Sequence, residues 1–223
     1  MASLKSLYRQ HQKVTLAAED RDGIALAQTT AGAVAYVLSG VLSSGGTYTA
    51  ADGGTSCHIG HQIGIYSGAN ISTVVFTVVG TDPDGLALTE TITGVNAGQI
   101  ESTNYYYTVT SVTPDGAVAS NVEIGIVDEV ATNRIPIEPR TGSYEVCMGV
   151  TVSGTLSLTA QYTVDDIYDS SVTPAYINDP TLVTKTANFA SRLALLPSAV
   201  RLVSASYSSG ATFTFHVLQN YAP

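Results

Sequence analysis

The sequence predicts an all-β protein: two antiparallel β-sandwich domains behind an N-terminal extended arm. Three observations predict it. Short runs rich in Val, Ile, Thr and Tyr recur along the chain, separated by Gly, Asn, Asp and Pro, which is how strands joined by tight turns read. No segment carries a convincing 3.6-residue apolar period, so helix has little place. Charged residues make up 12% of the chain, well below the roughly 25% of average proteins, alongside 20 glycines and 13 tyrosines.

Taken in order, residues 1–22 are polar, lack β periodicity and read as an arm with at most a turn or two of helix. Strand signals begin at Val34 with "VAYVLSGVL", followed by "SSGG", "TYTA", "ADGG" and "HQIGIYSG". The run "ISTVVFTVVG" (71–80) is nearly continuous in apolar residues, as expected of a strand covered on both faces. In "TDPDG", Pro83 presets φ at the second turn position, Asp84 tolerates the third and Gly85 closes the turn. The next strand, "LALTETIT", has an awkward parity: Leu86, Leu88 and Ile92 share a face with Glu90. A lone buried carboxylate is costly. A bulge near Thr89, hydrogen bonds from Thr or Tyr hydroxyls, or a subunit contact would each relieve it.

"YYYTVTSV" (105–112) and "SNVEIGIV" (120–127), with a second "PDG" turn at 114–116 between them, complete a first sandwich over 23–130. "TNRIPIEPR", with two prolines and two arginines, reads as a connection, placing a linker at 131–136 and a second sandwich at 137–223. There the alternation is cleaner. In "TLSLTAQYTV", Leu156, Leu158, Ala160, Tyr162 and Val164 are expected inside, and Ser157, Thr159, Gln161 and Thr163 outside. In "TFTFHVLQ", Phe213, Phe215 and Val217 point in and His216 out. A long irregular connection, 165–198, lies between them, and connections of that length pack on a neighbour or carry function.

Charge narrows the function classes. The net charge is −9, and no Lys or Arg occurs from Gly23 to Asn133, a window holding Asp52, Asp82, Asp84, Glu90, Glu101, Asp115, Glu123, Asp128 and Glu129. Such a surface repels phosphate, so nucleic acid is not an expected partner. "MASLKSLYRQHQKV" lacks the apolar core of a signal peptide, and "AGAVAYVLSGVL" is too short to span a bilayer. No membrane partner is expected. Cys57 and Cys147, the only cysteines, are expected in different domains as free thiols of a protein made in a reducing cytosol.

Little in the sequence could carry chemistry. "CHIGH" groups Cys57, His58 and His61, but a zinc site needs a fourth ligand at matching spacing, and on a strand the two histidines face opposite ways. Asp82 and Asp84 have calcium-loop spacing without the remaining oxygen ligands. "VDDIYD" offers Asp165, Asp166 and Asp169, with Asp179 beyond. Paired carboxylates could serve a glycosidase, yet at a strand end aspartates usually cap turns. No GxSxG, P-loop or GxGxxG occurs. No catalytic residue, metal ligand or cofactor is therefore assigned, and no enzymatic activity is expected.

The run 74–127 does resemble a known family: the Ig-like β modules of virion structural proteins in tailed bacteriophages. Those share an F-T-V strand, a G-T-D-x-D-G turn, a T-E-T-I-T-G strand and a Y-x-x-V-T-S-V strand. Phe76–Val78, Gly80–Gly85, Thr89–Gly94 and Tyr106–Val112 occupy that pattern here. "SGTLSLTAQYTVDDIYD" (153–169) and "AVRLVSASYSSGATFTFHVLQ" (199–219) look like the C-terminal β module, Ig-like or jelly-roll-like, that accompanies it. The resemblance implies a non-enzymatic component of a phage particle, assembled in the host cytoplasm and located in the virion. It points first to a capsid decoration (cement) protein. A tail or neck accessory adapting a fibre or spike is the alternative, and a carbohydrate-binding virion module a third reading, for which thirteen tyrosines could stack on sugars although tryptophan is absent. The expected partners are the major capsid protein or tail and neck proteins, together with copies of the chain itself, because exposed strand edges and Glu90 suggest surfaces awaiting partners. Two segments are expected to make the contacts: the arm, with basic Lys5, Arg9 and Lys13, and the 165–198 connection, with apolar Ile167, Tyr168, Tyr176, Ile177 and Phe189.

Overall fold

A computed structural model of the protein describes residues 7–51, 57–137, 145–193 and 195–220. Among them there is no helix, and the strands in chain order are β1 (Leu7–Thr15), β2 (Asp20–Thr30), β3 (Ser43–Ser44), β4 (Thr47–Thr49), β5 (Ile59–Asn70), β6 (Val75–Thr81), β7 (Ala87–Thr93), β8 (Asn96–Glu101), β9 (Thr108–Pro114) and β10 (Val118–Thr132). They continue as β11 (Ile135–Pro136), β12 (Glu145–Ser153), β13 (Leu156–Thr163), β14 (Ile177–Asn178), β15 (Phe189–Arg192), β16 (Ala199–Tyr207) and β17 (Thr212–Asn220). The all-β expectation holds. The chain forms two compact units, one of Ala17–Ala51 with His58–Ala131, the other of Met1–Leu16 and Thr132–Pro223 together with Cys57. Cys57 and Cys147, expected in different domains, thus fall in the same unit, and neither forms a disulfide.

The 17–131 unit contains a sheet in the order β3-β4-β9-β6-β7 and a second set, β2-β10-β5-β8. Phe76, Val78, Ile92, Val109 and Val112 are buried on the first, and Ile24, Ile63, Ile65, Val122 and Ile124 on the second. Each such side chain contributes roughly 1.5–3 kcal/mol on leaving water. The β6–β7 hairpin runs in unbroken register from Val75 opposite Thr93 to Thr81 opposite Ala87. Its turn is built as the sequence predicts: the Asp82 carboxylate accepts the amides of Asp84 (2.9 Å) and Leu86 (2.8 Å), and Gly85 closes it at φ 78°. The run 71–80, expected to be covered on both faces, is covered on one. Phe76 and Val78 are buried, while Val79, the residue after them, is exposed, so the apolar run conceals an ordinary half-buried strand. Beside Val79 the β6–β9 register shifts, and at Gly80 a Cβ would lie 1.8 Å from the Thr108 carbonyl oxygen, so only glycine fits there.

"VAYVLSGVL" also departs from expectation, because no strand is assigned over 31–42. The segment is nevertheless held on both sides. The Tyr36 amide donates to Val112 O (2.9 Å), the Gly40 amide to Ile24 O (3.0 Å) and the Leu42 amide to Gly23 O (2.7 Å). It lies between β9 and β2, too irregular for a ladder but fully anchored.

In the other unit one sheet has the order β1-β17-β12-β15. β13 lies between β14 and β16, and β11 pairs with β16. Residues 7–15, read from sequence as an arm without β periodicity, form β1 and pair along their whole length with β17, from Leu7 opposite Asn220 to Thr15 opposite Thr212. The polar composition hid a strand whose partner lies at the other end of the chain. Val14 and Leu16 anchor it in the core. Residues 131–136, expected as a linker, hold the end of β10 and the strand β11, and Ala131, Thr132 and Ile135 are buried.

β17 alternates as predicted, with Phe213, Phe215 and Val217 buried. In β13 the predicted alternation fails at Thr159, which is buried, and again at the end, where Thr163 is fully buried and Val164 exposed. The strand stops at Thr163, whose hydroxyl accepts the Asp165 amide (3.2 Å) as the chain turns away. The 165–198 connection folds over its own unit. The Asp179 amide donates to Ala160 O (2.9 Å), Leu158 and Lys185 exchange amide bonds, and β15 pairs with β12. One connection thereby lines the free side of β13 and then the free side of β12.

Candidate functional site

Each polar cluster that the sequence singled out can be followed to its place. Glu90 keeps the parity that made it anomalous, half-buried on the same side of β7 as Ile92. No bulge relieves it. Its carboxylate accepts the backbone amides of Thr103 (2.6 Å) and Asn104 (3.2 Å) and the Asn104 side-chain amide (3.0 Å). Charge-assisted bonds of this kind are among the stronger ones, and here they pin the 102–106 loop. That loop is tied again where the Ile63 amide donates to the Ser102 hydroxyl (2.8 Å) and where His61 and Tyr106 exchange amide bonds. The buried Tyr106 phenol is held well above the ordinary tyrosine range by burial and by the Glu90 charge. The carboxylate is a structural clamp.

The "CHIGH" histidines part company as a strand requires. His58 is exposed and stacks on Tyr107 with ring centres 4.4 Å apart. His61 is fully buried, its Nδ1 3.5 Å from the Val127 carbonyl oxygen, and burial lowers its pKa to about 4. Among the described residues no group of three or more His, Cys, Asp or Glu is placed to hold a metal ion. The aspartates of the 165–179 region each serve a local turn. Asp165 accepts the Ala175 amide (2.7 Å), Asp166 the Tyr168 amide (2.9 Å), Asp169 the amide and hydroxyl of Ser171, and Asp179 those of Thr181. The bonds from Ser171 hold the exposed Asp169 carboxyl below its usual range. Carboxylates engaged in this way are caps.

The residues expected to meet partners are spread over several elements of one unit. Lys5 lies outside the described residues. Arg9 occupies β1 opposite Leu218, and Lys13 is exposed opposite Thr214. Ile167 is buried while its neighbour Tyr168 is 74% exposed. They line a groove of about 270 Å³ with Ile137, Val164, Leu196 and Pro197. Tyr176 sits half-buried under the Arg201 guanidinium, 3.6 Å from its ring centre. Arg201 also donates to Gln161 (2.8 Å), which donates in turn to Asn178 (2.9 Å). Ile177 stands in β14, and Phe189 is half-buried in β15 opposite Val150. Sequence reasoning missed a second exposed apolar set, Leu26, Val34, Val37 and Val41. Its signal was available: Gly23–Ala51 contains no Asp, Glu, Lys, Arg or His.

No family model matches the chain, and no curated protein matches it. Among solved structures it is weakly similar to two viral proteins. One is the major capsid protein P2 of bacteriophage PM2, at 11% identity and a TM-score of 0.22, covering 96% of this chain and 98% of that one. The other is a structure of infectious bursal disease virus, Gx strain, at 11% identity and a TM-score of 0.27, covering 98% of this chain and 71% of that one. Likenesses at this level carry no argument about function, which rests on the residues themselves.

Proposed function

We propose that this chain is a non-enzymatic structural component of a phage particle, a capsid decoration (cement) protein that stabilises the head through protein–protein contacts with the major capsid protein. The observation that carries the reading is how its polar groups are used. Asp82, Asp165, Asp166, Asp169 and Asp179 hold backbone amides of their own loops, and Glu90 holds those of the 102–106 loop. Sequence spent on turns and ladders makes a rigid body, and rigidity with exposed apolar faces is what a cement protein needs. The resemblance of 74–127 to Ig-like virion modules points the same way. The groove around Tyr168 and Leu196 is a natural contact for a neighbouring protein of the particle.

Counting copies in purified particles tests the proposal. A decoration protein is expected on the order of hundreds per head, following the icosahedral lattice, whereas a tail or neck accessory follows the lower symmetry of that structure. Absence from particles, or a copy number matching the tail, would overturn the decoration reading. Saturable glycan binding by the isolated protein would favour a sugar-recognition module instead.

A further inference from the structure

We infer that the groove beside Tyr168 receives a short basic segment of a partner protein: an apolar side chain enters the groove, and flanking Lys or Arg residues meet its aspartate border. The groove is built where strand ends of one unit come together. Ser198 donates its amide to the Thr163 carbonyl oxygen (2.7 Å) at the end of β13, and its own carbonyl accepts the Ile137 amide (2.9 Å) just past β11. Ile137, Ile167 and Pro197 are buried beneath it, while Val164, Tyr168 and Leu196 are its exposed sides. The turn that carries Tyr168 is fixed by two further bonds, Asp165 N to Thr163 Oγ1 (3.2 Å) and Tyr168 N to Asp166 Oδ1 (2.9 Å). A cleft held in this way needs little ordering when it is filled. Its volume of about 270 Å³ lies below the roughly 300–1,000 Å³ of small-molecule sites and suits a single large side chain.

Charge selects the occupant. Asp166 lines the groove, and Asp165 and Asp169 each adjoin a lining residue in the chain, Val164 and Tyr168. Each carboxylate is engaged through one oxygen only: Asp165 Oδ2 by the Ala175 amide, Asp166 Oδ1 by the Tyr168 amide, and Asp169 Oδ1 by the amide and hydroxyl of Ser171. None of the three forms an ion pair with another described residue, whereas Arg21 and Arg192 are paired elsewhere with Glu123 and Glu145. Amide bonds from their own turn leave the negative charges in place, and unpaired carboxylates beside an apolar cleft attract cations. A neutral segment would fill the groove and leave that border unused, and an acidic one would be repelled. A second copy, at net charge −9, is disfavoured on the same ground. The inference rests on the reading of this groove as a contact for a neighbouring protein, and adds the chemistry which that neighbour presents.

An NMR titration of the full chain with three capped peptides tests it. They are Ala-Lys-Leu-Arg-Ala, the acidic Ala-Glu-Leu-Glu-Ala, and Ala-Lys-Ser-Arg-Ala, which keeps the cations without the anchor. The first is expected to give saturable shifts at the amides of Val164 to Tyr168 and of Leu196 and Ser198. The other two should bind more weakly by roughly tenfold or more. Asp166→Asn with Asp169→Asn keeps an acceptor oxygen for each turn, so the fold should persist while affinity for the first peptide drops by roughly tenfold. Tyr168→Ser with Leu196→Ser should abolish saturation. Absence of saturation in the wild type, shifts confined to other regions, or equal affinity for the three peptides or for the Asp166→Asn, Asp169→Asn pair would overturn the inference. So would a wild-type dimer in sedimentation equilibrium that Tyr168→Ser with Leu196→Ser breaks, since a second copy would then occupy the groove. The two readings fail separately. Entry of the Tyr168→Ser, Leu196→Ser chain into particles at wild-type copy number would overturn the groove and leave the decoration reading standing. A wild type that binds the first peptide here yet is missing from particles would instead overturn the proposed function.

Discussion

His61 and Glu90 show opposite ways of placing an ionisable group inside a β protein. His61 is buried with its ring 3.5 Å from a carbonyl and stays neutral until its pKa of about 4, well below the ordinary 6.5. Below pH 6.5 the unfolded chain therefore binds a proton that the folded one refuses. Stability falls as pH drops from 6.5 to about 4 and loses no more below that, about 3 kcal/mol in all from this residue. The raised carboxyls of Asp20 and Glu129 act in the opposite sense over the acidic range, so the test is a comparison. Urea midpoints measured across this range should decline less steeply for His61→Gln than for wild type, and parallel curves would exonerate His61. Glu90 instead stays at an accessible rim and works through three hydrogen bonds. Glu90→Ala should cost about 1–2 kcal/mol, since water can reach the freed amides. Hydrogen exchange should show Thr103 and Asn104 losing protection first, while an unchanged exchange pattern would mean the loop is held by Ser102 and Tyr106 alone.

Among the elements, β1 and the 36–42 segment gain their structure from what they touch. β1 is polar, yet it pairs with β17 along nine residue pairs, and its Val14 and the following Leu16 are buried. Removing residues 1–16 exposes β17 and the core beneath, at a cost of roughly 3–6 kcal/mol for the two apolar side chains alone. A thermal melt should show a large loss for that deletion. A melting point equal to wild type would return this segment to the status of a passive tail. In the 36–42 segment the tight point is Gly40, where a Cβ would lie 2.2 Å from the Gly23 carbonyl oxygen. Gly40→Ala must push the segment off β2, with an expected loss of about 1–3 kcal/mol, readable as a lowered denaturation midpoint.

For the whole molecule, the consequence lies in how the chain is divided. The unit of Ala17–Ala51 and His58–Ala131 is built almost entirely from one continuous stretch, whereas the other needs both Met1–Leu16 and Thr132–Pro223. A fragment spanning 17–131 is therefore expected to fold alone, with dispersed amide signals in a two-dimensional NMR spectrum. A fragment spanning 132–223 lacks β1, leaves β17 without one neighbour, and is expected to aggregate or remain unfolded. Adding the 1–16 peptide in trans should rescue it. Equal folding of both fragments would show that β1 is dispensable to its unit.

Turn chemistry and side-chain parity were legible in the sequence because they are local. Asp82, Pro83 and Gly85 specify their turn within five residues, Phe213, Phe215 and Val217 alternate on one strand, and the parity of Glu90 alone announced that its carboxylate needed partners. The all-β class follows from the same local signals. The identity of those partners was not legible, because the amides of Thr103 and Asn104 reach Glu90 only through the pairing of other strands. Nor was β1, whose pairing joins residue 7 to residue 220, nor the exposure of Val37 and Val41, which depends on Gln28 clamping the segment from the next strand. Local periodicity records which residues can share a face. Which face meets the core is decided by hydrogen bonds between segments far apart in the chain, and only the tertiary structure contains those.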